Sequence, residues 1–124
     1  MGDLRHIETH EVVKSSGFGQ RDLTRFVHKE AAYHQLLMDI MVQQVASTRL
    51  VLTENGPVNH LFVDGGFSRN SIYMHLLAEQ FPEMSVFGAS VAQATAVGAA
   101  LSIHEHWNAQ PIPSDLIALK FYGL

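Results

Sequence analysis

A chain of 124 residues, 47% hydrophobic and 16% charged, has the size and make-up of one folded unit, which excludes extended disorder and leaves little room for two independent cores. Its formal charge of -4, from 8 Lys and Arg against 12 Asp and Glu with no basic cluster, makes nucleic acid and anionic membrane surfaces poor partners. Cysteine is absent, so disulfides, thiolate metal sites and cysteine nucleophiles are excluded, and no apolar stretch reaches the roughly 18 residues that would span a bilayer. With no signal-peptide pattern at its start, the chain is expected in the cytoplasm.

Residues 1–20 mix charges with Ser15-Ser16-Gly17-Phe18-Gly19 and hold no period, so an irregular or extended head is expected. From Arg21 to about Leu52 the apolar residues Leu23, Phe26, Val27, Ala31, Leu37, Met38, Met41, Val42 and Val45 recur at helical spacing, predicting one long amphipathic helix. Gly56 and Pro57 stop it, since glycine favours the position after a helix and proline cannot continue its ladder. Asn59 to Val63 then reads as a strand, Asn70 to Gln80 as a helix with Ile72, Leu76 and Leu77 inward, Ser85 to Phe87 as a second strand, and Gln93 to Trp107 as a third helix.

This order of helix, strand, helix, strand, helix calls for an α/β fold with parallel strands joined by crossovers. Residues 21–107 carry it, and residues 108–124, punctuated by Pro111 and Pro113 and rich in Leu116, Ile117, Leu119, Phe121 and Tyr122, form a tail suited to docking. Two short strands are too few for a stable parallel sheet, so the remaining strands are expected upstream in a larger fold. The isolated piece is expected to expose a sheet edge and to form a homodimer or aggregate.

The segment His60-Leu61-Phe62-Val63-Asp64-Gly65-Gly66-Phe67-Ser68-Arg69-Asn70 runs a strand into two glycines and then a helix. Glycine lets backbone approach a ligand closely, and a helix start presents partial positive charge to an anion. The same residues fit a plain tight turn with Ser68 or Asn70 as an N-cap, and the local pattern leaves both readings open. Arg69 fits a solvated charge at the helix start.

With Ala94-Thr95-Ala96-Val97-Gly98-Ala99-Ala100 following Leu61 to Asn70, the chain resembles the C-terminal domain of the FGGY carbohydrate kinases, with the rhamnulokinase-like and fuculokinase-like members most similar. The resemblance covers roughly Leu23 to Trp107. It implies the second half of a ribonuclease H-like (actin-like ATPase) domain, in an enzyme that transfers a phosphoryl group from ATP, with Mg²⁺, to a carbohydrate hydroxyl. In the family the Gly-Gly-x-x-x-Asn pattern contacts adenosine, which carries over to Gly65, Gly66 and Asn70. Many members have glycine or alanine where this chain has Phe67, so that side chain would wall or narrow the adenine pocket. The stretch Ala78 to Phe87 departs further, with Phe81-Pro82-Glu83 in place of a glycine-containing turn. Gly98, which costs about 1 kcal/mol in a helix interior, and Ala99 are expected to pack closely in support of the pocket.

Phosphoryl transfer also needs phosphate-cradling loops, a metal site and a group that orients the attacking hydroxyl. No Asp-x-Gly-Thr or Gly-Thr-Ser occurs, and Asp64 reads as a turn acid. The catalytic residues and the sugar contacts are therefore expected in an N-terminal part of the same protein, with this chain inactive alone. A non-catalytic actin-like or accessory binding domain is the alternative. The eight histidines form no metal motif: His6 and His10 flank Glu8 in the head, and His104 and His106 face different sides of a helix. Gly-x-Ser-x-Gly is likewise absent.

Overall fold

A computed structural model describes residues 16–52, 56–89 and 94–123; His6, Glu8, His10, Thr53 to Asn55 and Gln93 lie outside them. Two compact units divide the chain, Met1–Val58 and Asn59–Leu124.

The first unit is built on helix α1, Lys29–Leu52. It starts eight residues later than the apolar spacing predicts, because Arg21 to His28 hold other hydrogen bonds. Asp22 Oδ1 accepts from the Thr24 N–H at 3.0 Å and from its hydroxyl at 2.6 Å, closing a 3₁₀ turn over Leu23–Arg25. The His28 ring then accepts from the Ala31 N–H at 3.1 Å and caps the true helix start. Leu23 and Val27, counted on the apolar stripe, are 60% and 92% exposed. The described end of the head is not irregular either, since Gly17–Gln20 form a 3₁₀ turn with Phe18 stacked on Phe26.

One ion pair ties this segment to the helix. The Arg21 guanidinium meets the Asp39 carboxylate through both its oxygens, at 2.5 and 2.8 Å, and Gln35 donates to the same carboxylate at 2.9 Å. Two parallel charge-assisted bonds of this kind are geometrically selective.

The second unit is a mixed three-stranded sheet in the order β1-β2-β3, formed by His60–Val63, Ser85–Ala89 and Leu119–Tyr122. Strands β1 and β2 run parallel, with Leu61 opposite Val86 and Val63 opposite Gly88. Strand β3 runs antiparallel to β2, with Val86 opposite Tyr122. Parallel strands alone were expected, so the third strand corrects that reading. Its Leu119-Lys120-Phe121-Tyr122 run is short and follows two prolines, and only Tyr122 is buried, at 4% exposure.

Helix α2, Ser71–Gln80, joins β1 to β2 and covers one face of the sheet. It buries Tyr73, Met74, Leu77 and Ala78, a stripe that takes in the expected Leu77 and runs beside the expected Ile72 and Leu76, which are half-buried. Together with Phe81, Val86 and Tyr122 these side chains form the core of the unit. The opposite face carries a row of rings, His60, Phe62, Phe87 and Phe121, with successive centroids 5.3 to 6.2 Å apart. Phe62 and Phe121 remain 57% and 59% exposed.

The last predicted helix is two: α3, Ala94–Ser102, and α4, His104–Trp107. The Ser102 hydroxyl donates to the Ala99 carbonyl at 2.7 Å and the Trp107 indole N–H to that of Ala100 at 3.2 Å, so side chains take up carbonyls that a continuing helix would use. Gly98 lies exposed, and a Cβ built on it meets nothing within 4 Å. Its expected packing role is not made within the described residues. Among these residues no helix is long and apolar enough to cross a membrane.

Arg21 holds the Asp39 carboxyl below its ordinary pKa through their hydrogen bonds. A depressed folded-state pKa stabilises the fold above the unfolded value of about 3.9 and loses that stabilisation as pH falls through the folded value. The pair should therefore hold at pH 5 and open only in stronger acid. Amide exchange over Gly17–Arg25 should quicken below the ordinary carboxylate range, and Asp39→Asn should give the same fast exchange at neutral pH. Exchange that is unchanged in the variant would show that the ion pair does not hold the segment.

Candidate functional site

The four residues expected to contact a ligand, Gly65, Gly66, Phe67 and Asn70, lie on one turn between β1 and α2. Gly65 closes the strand with φ 78° and ψ -159°, a conformation open in practice only to glycine. Its N–H donates to Asp64 Oδ1 at 2.6 Å, which makes Asp64 a turn acid. Gly66–Arg69 then form a 3₁₀ turn, closed by the Ser68 and Asn70 N–H groups donating to the carbonyls of Gly65 and Phe67 at 3.2 and 3.0 Å.

The two glycines have different jobs. Gly65 is needed for its backbone angle, whereas Gly66 has ordinary φ and open space where a Cβ would stand. Among the described residues, then, nothing requires Gly66 to lack a side chain.

Asn70 is the N-cap of α2. Its Oδ1 accepts from the Tyr73 N–H at 3.1 Å, and its carbonyl accepts from the Met74 N–H at 3.0 Å. The acceptor half of the Asn70 amide is thus turned toward the helix, and the pairing of both donor and acceptor with a purine edge, which the sequence allowed, is reduced on this side.

Phe67 stacks on Tyr73, ring centroids 4.4 Å apart and planes 26° from parallel. Tyr73 is 5% exposed and Phe67 44%. Burial pushes the Tyr73 phenol above its ordinary pKa, so it stays neutral across the physiological range.

Two residues that anchor the turn carry no obvious signal in the sequence. Ser68 is buried, and its hydroxyl lies 2.7 Å from the Gly65 carbonyl and 3.2 Å from that of Ala89, sharing one hydrogen between them. Opposite it, Gly88 leaves little room for a side chain: a Cβ there would stand 3.1 Å from the Ser68 carbonyl and 3.3 Å from the Tyr122 ring. The available hint is that a glycine inside a strand marks close backbone approach. Ser68 and Arg69 also border a cleft of about 330 Å³ with Ala89, Leu119, Lys120 and Tyr122. Arg69 is exposed there. No group of three or more His, Asp or Glu able to hold a metal occurs among the described residues.

The glycine turn lies where a strand hands over to a crossover helix, at the carboxyl end of a parallel pair, which makes this unit α/β in class. The family model described as carbohydrate kinase FGGY, C-terminal domain, matches residues 9–111. The chain belongs to the FGGY carbohydrate kinase family, and the matched span holds α1 to α4 and the glycine turn while leaving out β3. Searches of curated proteins and of solved structures found no match.

The three glycines should separate under substitution. Gly65→Ala and Gly88→Ala should each destabilise by about 1–3 kcal/mol, the first through backbone strain and the second through overpacking. Gly66→Ala should change the melting temperature little. Urea unfolding of the three variants checks this, and equal losses at all three would contradict the assignment.

Proposed function

We propose that this chain supplies the adenosine-binding portion of an ATP-dependent sugar kinase, which transfers the γ-phosphoryl group to a carbohydrate hydroxyl. The observation that carries the reading is Gly66. It lies open in the turn, inside the span that matches the kinase family, at a place where the described residues leave room for a side chain. A ligand that approaches the backbone there supplies the reason for a glycine.

The turn fits a neutral, flat group better than a phosphate chain. Its N–H groups at Ser68 and Asn70 are used inside the turn, and the exposed surface beside Gly66 is the Phe67 ring, with Arg69 two residues further on. In this proposal Gly65, Gly66, Phe67 and Asn70 hold the nucleoside. The phosphates, the Mg²⁺ that neutralises them and the acid or base that handles the sugar hydroxyl belong to other parts of the protein.

Two further features support a place within a larger fold. Strand β1 pairs only with β2 among the described residues, and the ring-lined face of the sheet stays exposed, although parallel strands normally lie between covered faces. We assign the covering to an N-terminal part of the same protein, which also binds the carbohydrate. The isolated chain would then self-associate through the same surface. Within the family we place the protein among the rhamnulokinase-like and fuculokinase-like members, acting in the cytoplasm.

The test is phosphorylation of a panel of ketoses and deoxyketoses by the full-length protein with Mg²⁺ and ATP. The expected result is turnover of one sugar class, with Gly66→Leu weakening ATP binding by about ten-fold or more at unchanged melting temperature. ATP binding and turnover unaffected by Gly66→Leu would remove the turn from the site. A full-length protein without any nucleotide binding would favour a non-catalytic accessory domain instead.

A further inference from the structure

Three polar side chains of the glycine turn are directed back into the turn, while Arg69 is exposed at its end. Asp64 Oδ1 accepts from the Gly65 N–H, the Ser68 hydroxyl is shared by the Gly65 and Ala89 carbonyls, and Asn70 Oδ1 accepts from the Tyr73 N–H. A site that discriminates one purine from another by its edge needs a donor and an acceptor aimed outward together. Here the acceptors at both ends of the turn are engaged in holding its shape.

Beside the donors of Arg69, what the turn offers outward is an aromatic face. The Phe67 ring rests on the buried Tyr73 ring at 4.4 Å, so its position is fixed from one side, and the residue keeps 44% exposure. Tyr73 is itself held at the N-cap through its backbone N–H and lies within the core. The platform is therefore ordered before any ligand arrives, which lowers the entropy lost on binding.

We infer that Phe67 is the base-stacking residue of the nucleotide site, and that the site binds the purine by its face rather than by its edge. This rests on the nucleotide reading above and adds to it a selectivity: adenine and guanine are accepted alike. Stacking on an aromatic ring is tolerant of base identity because every base has a π face, whereas edge contacts tell bases apart.

The experiment is equilibrium binding of ATP and GTP to the full-length protein, wild type and with Phe67→Leu and Phe67→Trp. The inference expects ATP and GTP to bind within about three-fold of each other, both to weaken about ten-fold in Phe67→Leu, and both to recover in Phe67→Trp. In Phe67→Trp, the added indole emission should be quenched by either nucleotide and not by inorganic triphosphate. The quenching readout stands even where Phe67→Leu fails to fold. A folded Phe67→Leu that binds as wild type, an indole that neither nucleotide quenches, or a preference of about 100-fold for one purine would each overturn the inference while leaving nucleotide binding intact. Absence of binding of both nucleotides to the wild type would overturn the nucleotide reading along with it.

Discussion

The close approach of the glycine turn to strand β2 is the contact on which the second unit depends. Gly88 has no side chain, and the Ser68 carbonyl lies where its Cβ would press. The Ser68 hydroxyl spans from the Gly65 carbonyl to that of Ala89, tying the end of β1 to the end of β2. This fixes where α2 begins. From that start Tyr73, Met74, Leu77 and Ala78 fall on the sheet, and Phe81 and Tyr122 complete the core. A bulkier residue at either place would displace the turn and the helix together, because the atoms it meets are backbone and a packed ring.

The same economy decides what the turn can do chemically. Its carboxylate, hydroxyl and amide oxygen serve the turn's own shape, so the proposed recognition falls to exposed backbone at Gly66 and to the Phe67 ring, with Arg69 exposed at the end of the turn. Such a surface suits a flat, weakly polar group. No cluster of carboxylates for a metal occurs among the described residues. The exposed ring row of His60, Phe62, Phe87 and Phe121 on the far face of the sheet belongs to the same picture, since a face of that character is normally covered.

The sequence made some of this legible and hid the rest for physical reasons. The strand, the two glycines and the following helix could be read because each rests on local chemistry: β-branched and aromatic residues, a residue with positive φ, and an Asn cap. The start of α1 could not, since the apolar spacing through Leu23 and Val27 continues unbroken while the hydrogen bonds of Asp22 and His28 delay the helix to Lys29. Helical spacing also placed Ile72 on the core side, although the sheet selects the neighbouring stripe. The small residues of α3 looked made for close packing, yet Gly98 is exposed. Strand β3 was hidden in an apolar tail, because pairing with β2 is a non-local property. Ser68 and Gly88 were missed for the same reason, since their contact joins positions twenty residues apart.

Amide hydrogen exchange of the full-length protein, with and without Mg²⁺ and ATP, bears most directly on the central claim. The account predicts slowed exchange concentrated over Gly65–Tyr73, the turn and the first residues of α2. Saturating ATP that slows exchange elsewhere and leaves Gly65–Tyr73 unchanged would contradict it, and would reduce the two glycines to a structural turn.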